Sequence, residues 1–200
     1  MSEKDVDIGR VEGWVEIIVR DKNGKIKYHI GSPPTAKAPQ KTQECKDGHN
    51  CPLPPPIMSA YPAKTVETAY YVKNIITNAG LAAIVRLVGS GLTETKFGYI
   101  AIGTGTTAEA ATDTALVTEI KRKTATTSQV TTSISGDTCL FSATFSSADG
   151  LTGSNNVAET GVFNASTGGI MLCRKTFSAV PLNWDAGDQI TINYYVQFTR

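Results

Sequence analysis

The sequence predicts an all-β fold: an antiparallel, jelly-roll-like β-sandwich with one short helix, an N-terminal hairpin and an extended Pro-rich arm. Three observations carry that expectation. Asn23-Gly24 stands between two strand-like runs, the strongest short-range hairpin signal. Apolar and polar residues alternate cleanly over Thr138–Ser146 and again over Gln189–Thr199. From Phe97 onward, strand-like segments recur about every ten residues with turn residues between them, the pattern of a sandwich.

The hairpin takes Trp14–Arg20 and Lys25–Ile30 as its strands, with Asp21-Lys22-Asn23-Gly24 as its turn. Gly31–Thr65 then changes character. It holds Pro33, Pro34, Pro39, Pro52, Pro54, Pro55, Pro56 and Pro62, nearly all of the chain's 9 prolines. Proline fixes φ and removes a backbone donor, so this span is no strand interior and no helix. It reads as an extended arm, expected to rest on a neighbouring chain; packing on its own domain would also serve. The expected organisation is residues 1–30 as the N-terminal segment and hairpin, packed with the main domain, 31–65 as the arm, and 66–200 as the sandwich.

The hub of the domain is Tyr70–Thr106. Tyr71–Ile76 is β-branched and aromatic and predicts a strand. Thr77 and Asn78 are candidate caps of a helix whose apolar positions Leu81, Ile84, Val85 and Val88 share one face. Gly89-Ser90-Gly91 is expected to stop it through left-handed glycine. Phe97–Ile102 returns as a strand, and Thr107–Leu116 is at most a helical turn. Glu119–Ile134 is a long polar strand or a strand pair, and Gly136-Asp137 a turn. In Thr138–Ser146, Cys139, Phe141, Ala143 and Phe145 face one way. Val157–Asn164 and Ile170–Phe177 are strands, and Pro181–Asp188 a loop. The closing strand Gln189–Thr199 places Ile190, Ile192, Tyr194, Val196 and Phe198 on one face.

Composition narrows function. A net charge of +1 gives no electrostatic case for nucleic acid or a membrane surface. The basic run Lys121-Arg122-Lys123 reads as a solvated strand end. No apolar run approaches the ~20 residues of a membrane span, and MSEKDVDIGR lacks the apolar region of a secretory signal. Only 18% of residues are charged, which with abundant Ser and Thr suits a surface packed against copies of itself.

Candidate chemistry is sparse. Gly103-Thr104-Gly105-Thr106-Thr107-Ala108 spells a dinucleotide fingerprint, with Glu109 or Glu119 as a ribose acid. That reading needs a full helix and a parallel strand afterwards, so tight turns explain the glycines better. Cys45, His49 and Cys51 are close enough for a Cys45–Cys51 disulfide or bridges to other chains, for a metal clip, or for plain free thiols. Cys139 and Cys173 sit in apolar strands and read as small buried residues, or as a pair bridged across strands. Glu119, Glu159, Asp185 and Asp188 are scattered, as ion pairs and turn caps are. No nucleophile–base pair is legible, and the chain reads as a non-enzyme without a cofactor. Asn164-Ala165-Ser166 matches a glycosylation acceptor. Tyr61, Trp184, Tyr194 and Tyr195 are the contacts a sugar-binding module would use.

Several of these stretches resemble tailed-phage virion proteins: Asn74–Leu81 followed by Tyr99–Thr107, then Ala111–Leu116 with Glu119, Glu159–Asn164, and Gly169–Arg174. The likeness covers residues 66–200, and the hairpin at 14–30 fits the family's usual beginning, while 31–65 departs from it as an insertion. It implies a small β-rich structural component of the virion, made in the host cytoplasm, that decorates the capsid or forms part of a neck or tail fibre. The implied partners are copies of itself, as a trimer, and major capsid or neck proteins. It implies no catalytic residue. The arm, with Pro33, Pro39, Pro52, Pro54, Pro55, Pro56 and Tyr61, would then be the intersubunit element.

Overall fold

The computed structural model describes residues 10–31, 72–89 and 93–199. Cys45, His49, Cys51, Tyr61 and the arm prolines lie outside the described residues, as does Tyr70–Tyr71 of the hub.

The described residues form two antiparallel sheets and one short α-helix, as expected of an all-β fold. The hairpin is β1 (Arg10–Arg20) and β2 (Ile26–Ile30). Its turn places Gly24 at φ 80°, and Asp21 Oδ1 accepts from the N–H groups of Asn23 (2.9 Å) and Lys25 (3.0 Å). β3 (Val72–Lys73) pairs with β1, whereas β4 (Ile75–Ile76) pairs with β10 (Met171–Asn183). The single strand expected over Tyr71–Ile76 is therefore two short pieces, one in each sheet. Asn74 is the crossing residue, its N–H donating to Gly13 O at 3.0 Å.

The remaining strands are β5 (Tyr99–Gly103), β6 (Glu119–Thr124), β7 (Thr126–Val130), β8 (Thr138–Phe145), β9 (Ser154–Phe163) and β11 (Gln189–Thr199). One sheet runs β2-β1-β11-β8-β7 with β3 beside β1; the other runs β4-β10-β9-β5-β6. Glu119–Ile134 yields a strand pair whose members lie in different sheets, parted at buried Ala125, whose N–H bonds Gly98 O at 2.8 Å. Val15, Ile17, Phe145, Ile190, Ile192 and Tyr194 of the first sheet meet Ile100, Ile102, Val157, Val162, Leu172 and Leu182 of the second in one core. The alternation over Thr138–Ser146 and Gln189–Thr199 produces its expected inward faces, except that Phe198 at the chain's end is exposed.

Pro181 lies in β10, not in a loop, opposite Asn156 of β9. β4 pairs only at Cys173 and Arg174, so this part of β10 is a sheet edge and the missing proline N–H costs no ladder bond. Arg122 lies mid-strand in β6 rather than at a solvated end, its guanidinium 3.5 Å from the Phe163 ring centroid and bonded to Glu119 at 2.6 Å.

The helix α1 (Asn78–Val88) is capped by Thr77, whose hydroxyl accepts from Gly80 N at 2.9 Å. Its buried residues are Gly80 and Ala83; of the expected face only Ile84 packs, half-buried, against the core, while Leu81, Val85 and Val88 face outward. The reason is close approach: a Cβ at position 80 would stand 2.4 Å from the carbonyl oxygen of Leu172, so only small residues admit the helix to β10. Gly89 ends the helix with extended backbone, φ −77° and ψ 134°, rather than a left-handed turn.

The sheet crossing also carries a steric coupling. The Asn74 amide is buried without a hydrogen-bond partner among the described residues, and a Cβ on Gly13 would lie 2.1 Å from its Oδ1. Gly13→Ala is expected to cost about 1–3 kcal/mol in the native chain through overpacking. On an Asn74→Ala background the same substitution should cost less than about 0.5 kcal/mol, giving a coupling well above the additivity error in urea denaturation.

Candidate functional site

The largest concentration of buried charge among the described residues sits where Gly103-Thr104-Gly105 leaves β5. The loop 104–118 arches over the outer face of the second sheet, where Leu116 packs with Ala101, Phe163 and Met171. At Thr107–Leu116 it has a single hydrogen-bonded turn, Asp113 N–H donating to Ala110 O at 3.0 Å, and no helix of greater length. Instead it closes on itself through Thr104 N–H to Thr118 O at 3.0 Å. It is also joined to the helix start by Asn78 N–H donating to Ala111 O at 2.8 Å.

Under this arch lie Glu159 of β9 and Arg174 of β10, with 0% and 1% of their surface exposed. Glu159 Oε1 accepts from the N–H groups of Gly105 (3.0 Å) and Thr118 (2.7 Å). Its Oε2 accepts from Val117 N–H (3.0 Å) and from Arg174 Nε (3.1 Å) and Nη2 (2.8 Å). Arg174 also donates from Nη2 to Thr107 O at 3.0 Å, and from Nη1 to Asp113 Oδ2 at 2.8 Å and Ala108 O at 3.4 Å. Asp113 in turn accepts from Ala110 N–H at 2.9 Å. Beside this network Glu109 takes bonds from the Lys175 ammonium and from the Thr176 hydroxyl and N–H.

Electrostatically the site is self-contained. Burial pushes the Glu159 carboxyl upward, but the Thr118 and Val117 N–H groups and the Arg174 guanidinium outweigh it and hold the group below the usual carboxylate range. Burial likewise works against Glu109, yet Lys175 and Thr176 bring it down to about 2. Desolvation pulls Arg174 down while Asp113 and Glu159 raise it further. The site therefore holds ionised groups, each already bonded to this chain.

This arrangement accounts for the glycines. A Cβ at Gly103 or Gly105 would stand 2.6 or 2.4 Å from Glu159 Oε1. They admit an anion to the backbone, as in a phosphate loop, but the anion is the protein's own carboxylate. The strands around them are antiparallel, unlike the parallel sheet a dinucleotide fold requires. Glu119 is bound to Arg122 and Glu109 to Lys175, so neither stands as a ribose acid.

The other expected positions fall out simply. Asp185 and Asp188 are turn partners as read from the sequence: Asp185 accepts from Gly153 N–H at 3.1 Å, and Asp188 from Asn183 N–H at 2.9 Å and Lys27 at 2.6 Å. Trp184, Tyr194 and Tyr195 are buried, so these three are core residues rather than sugar contacts. Asn164 is buried and bonds Glu94 and the Ile170 N–H, which leaves its amide inaccessible for glycosylation. Cys139 and Cys173 are free thiols on different sheets, both pushed up by burial.

Sequence reasoning placed Glu159 among ordinary ion pairs but missed its partner. The available signal was Arg174 directly after the apolar run Ile170–Cys173, where a charge that continues the buried strand is allowed only with a counter-ion.

No family model matches the chain, and neither a curated protein nor a solved structure is significantly similar to it. The class that fold and site define is a two-sheet antiparallel β protein whose buried charges fasten a loop to a sheet.

Proposed function

We propose that this protein is a non-enzymatic structural component of a tailed-phage virion. In this reading it is a jelly-roll-like sandwich that decorates or cements the capsid or neck as a homo-oligomer, with the arm 31–65 reaching a neighbouring subunit. One observation carries the reading: the stretches that resemble virion proteins are used here for cohesion. Asn74–Leu81 crosses both sheets and starts the helix. Tyr99–Thr107, Glu159 and Arg174 build the buried fastening beneath the loop. Such a tie suits a part that must keep its shape under assembly forces. The low charge of 18% is consistent with broad contacts to like subunits.

Cryo-electron microscopy of the particle that incorporates the chain tests this directly. Copies repeated over the capsid lattice or ringed at the neck are expected. Copies confined to a fibre tip would favour the receptor- or carbohydrate-binding alternative, and absence from purified particles would overturn the proposal. Deleting residues 31–65 should leave the sandwich folded, by circular dichroism and thermal melting, yet reduce incorporation into particles. Undiminished incorporation would remove the arm from the mechanism.

A further inference from the structure

The helix is apolar on every side. Its sequence NAGLAAIVRLV has only Asn78 and Arg86 as polar residues, and Arg86 is bonded to Glu94 at 2.9 Å. A helix that is hydrophobic all round is normally buried all round. Here the inner side, Gly80 and Ala83, meets β10, while Leu81, Val85 and Val88 on the opposite side remain 41, 66 and 82% exposed. Among the described residues nothing covers that outer face.

We propose that the segment Pro52–Tyr61, PLPPPIMSAY, docks on this face of α1. Three features argue for this occupant. It belongs to the span 32–71, which leaves the described structure after Gly31 and re-enters at Val72, immediately before β3, β4 and the helix. From Tyr61 to Val72 an extended chain spans up to about 35 Å, and the helix is only about 16 Å long, so the whole face is within reach. Chemically, residues 50–63 carry no charge, whereas Lys37, Lys41, Glu44, Lys46 and Asp47 before them and Lys64 and Glu67 after them do. Leu53, Ile57, Met58 and Tyr61 supply the apolar contacts. Proline-rich sequence has few conformations to lose, which lowers the ordering cost of docking. The inference concerns which surface receives the segment, and it stands whether the segment comes from the same chain or a neighbour.

The test places p-benzoylphenylalanine at Val85 in the full chain, assembled from equal parts of isotopically labelled and unlabelled protein. Irradiation is expected to join position 85 to a peptide containing residues 52–61, and the same probe at exposed Thr127 of β7 is expected not to. Crosslinks from position 85 exclusively to the helix of a second copy, or to any other segment, would overturn the inference. The label pattern separates it from the assembly reading. Mixed-label products support docking together with an intersubunit arm; single-label products support docking but remove the intersubunit role. Independently, the variant Val85→Gln/Val88→Gln should raise the rate of tryptic cleavage after Lys64 about tenfold, because cleavage tracks the undocked population. An unchanged rate in a variant with native circular dichroism would count against the proposal.

Discussion

Arg174→Ala is expected to lower stability at neutral pH by about 3–5 kcal/mol, the cost of leaving a buried carboxylate without its cation. The loss comes from both sides of the pair. Glu159 stays beneath the loop with three backbone N–H groups but no guanidinium. The carbonyls of Thr107 and Ala108 and the carboxylate of Asp113 lose their donor as well. The effect also carries a pH signature. Glu159, Glu109 and Asp113 all have folded-state values depressed below their ordinary ones. Groups of this kind stabilise the fold above their unfolded values, near pH 4, and the contribution fades as pH falls through the lower folded values. With Arg174 removed, Glu159 and Asp113 move upward and much of that contribution is already gone. The difference between Arg174→Ala and the native chain should therefore shrink between about pH 7 and about pH 3 in urea denaturation. A loss below about 1 kcal/mol at neutral pH, or one that does not change with pH, would show that the network is not the fastening described.

Gly80→Ala should destabilise the protein by about 1–3 kcal/mol, against the direction that helix propensity gives. Propensity alone favours alanine by about 0.8–1 kcal/mol in a helix interior. At position 80, however, the new methyl would meet the carbonyl oxygen of Leu172 at 2.4 Å and its Cα at 2.8 Å. Those are backbone atoms of β10 and cannot swing aside as a side chain does. The helix must lift, which weakens the Thr77 cap and the bond from Asn78 to Ala111. The control is Ala82→Gly on the exposed side, which should lose stability through propensity alone. Both substitutions would then destabilise, although they are opposite exchanges. A stabilising Gly80→Ala would mean that the helix does not sit on β10 as described.

Much of the fold was legible because strands report their own burial. The alternation in β8 and β11, the Asn23-Gly24 hairpin and the Thr77 cap are local patterns, and each produced the element it foretold. The helix face misled for a physical reason. Periodicity finds the apolar side, but at α1 proximity to a backbone selected the small residues Gly80 and Ala83 instead. The glycines of 103–105 were legible as a place where backbone must approach something, but not as to what.

By itself, the sequence determined the antiparallel β class, the hairpin, the position of the helix and the low charge, since these follow from dihedral preference, period and composition. Only the tertiary structure decided where the chain changes sheets, at Asn74 and Ala125, because a two-residue strand looks the same in either sheet. It also decided that Glu159 and Arg174, with Thr107, Asp113 and Thr118 around them, form one buried network. No local pattern encodes that meeting: it joins residues far apart in the chain, and what brings them together is the need of each buried charge for a partner.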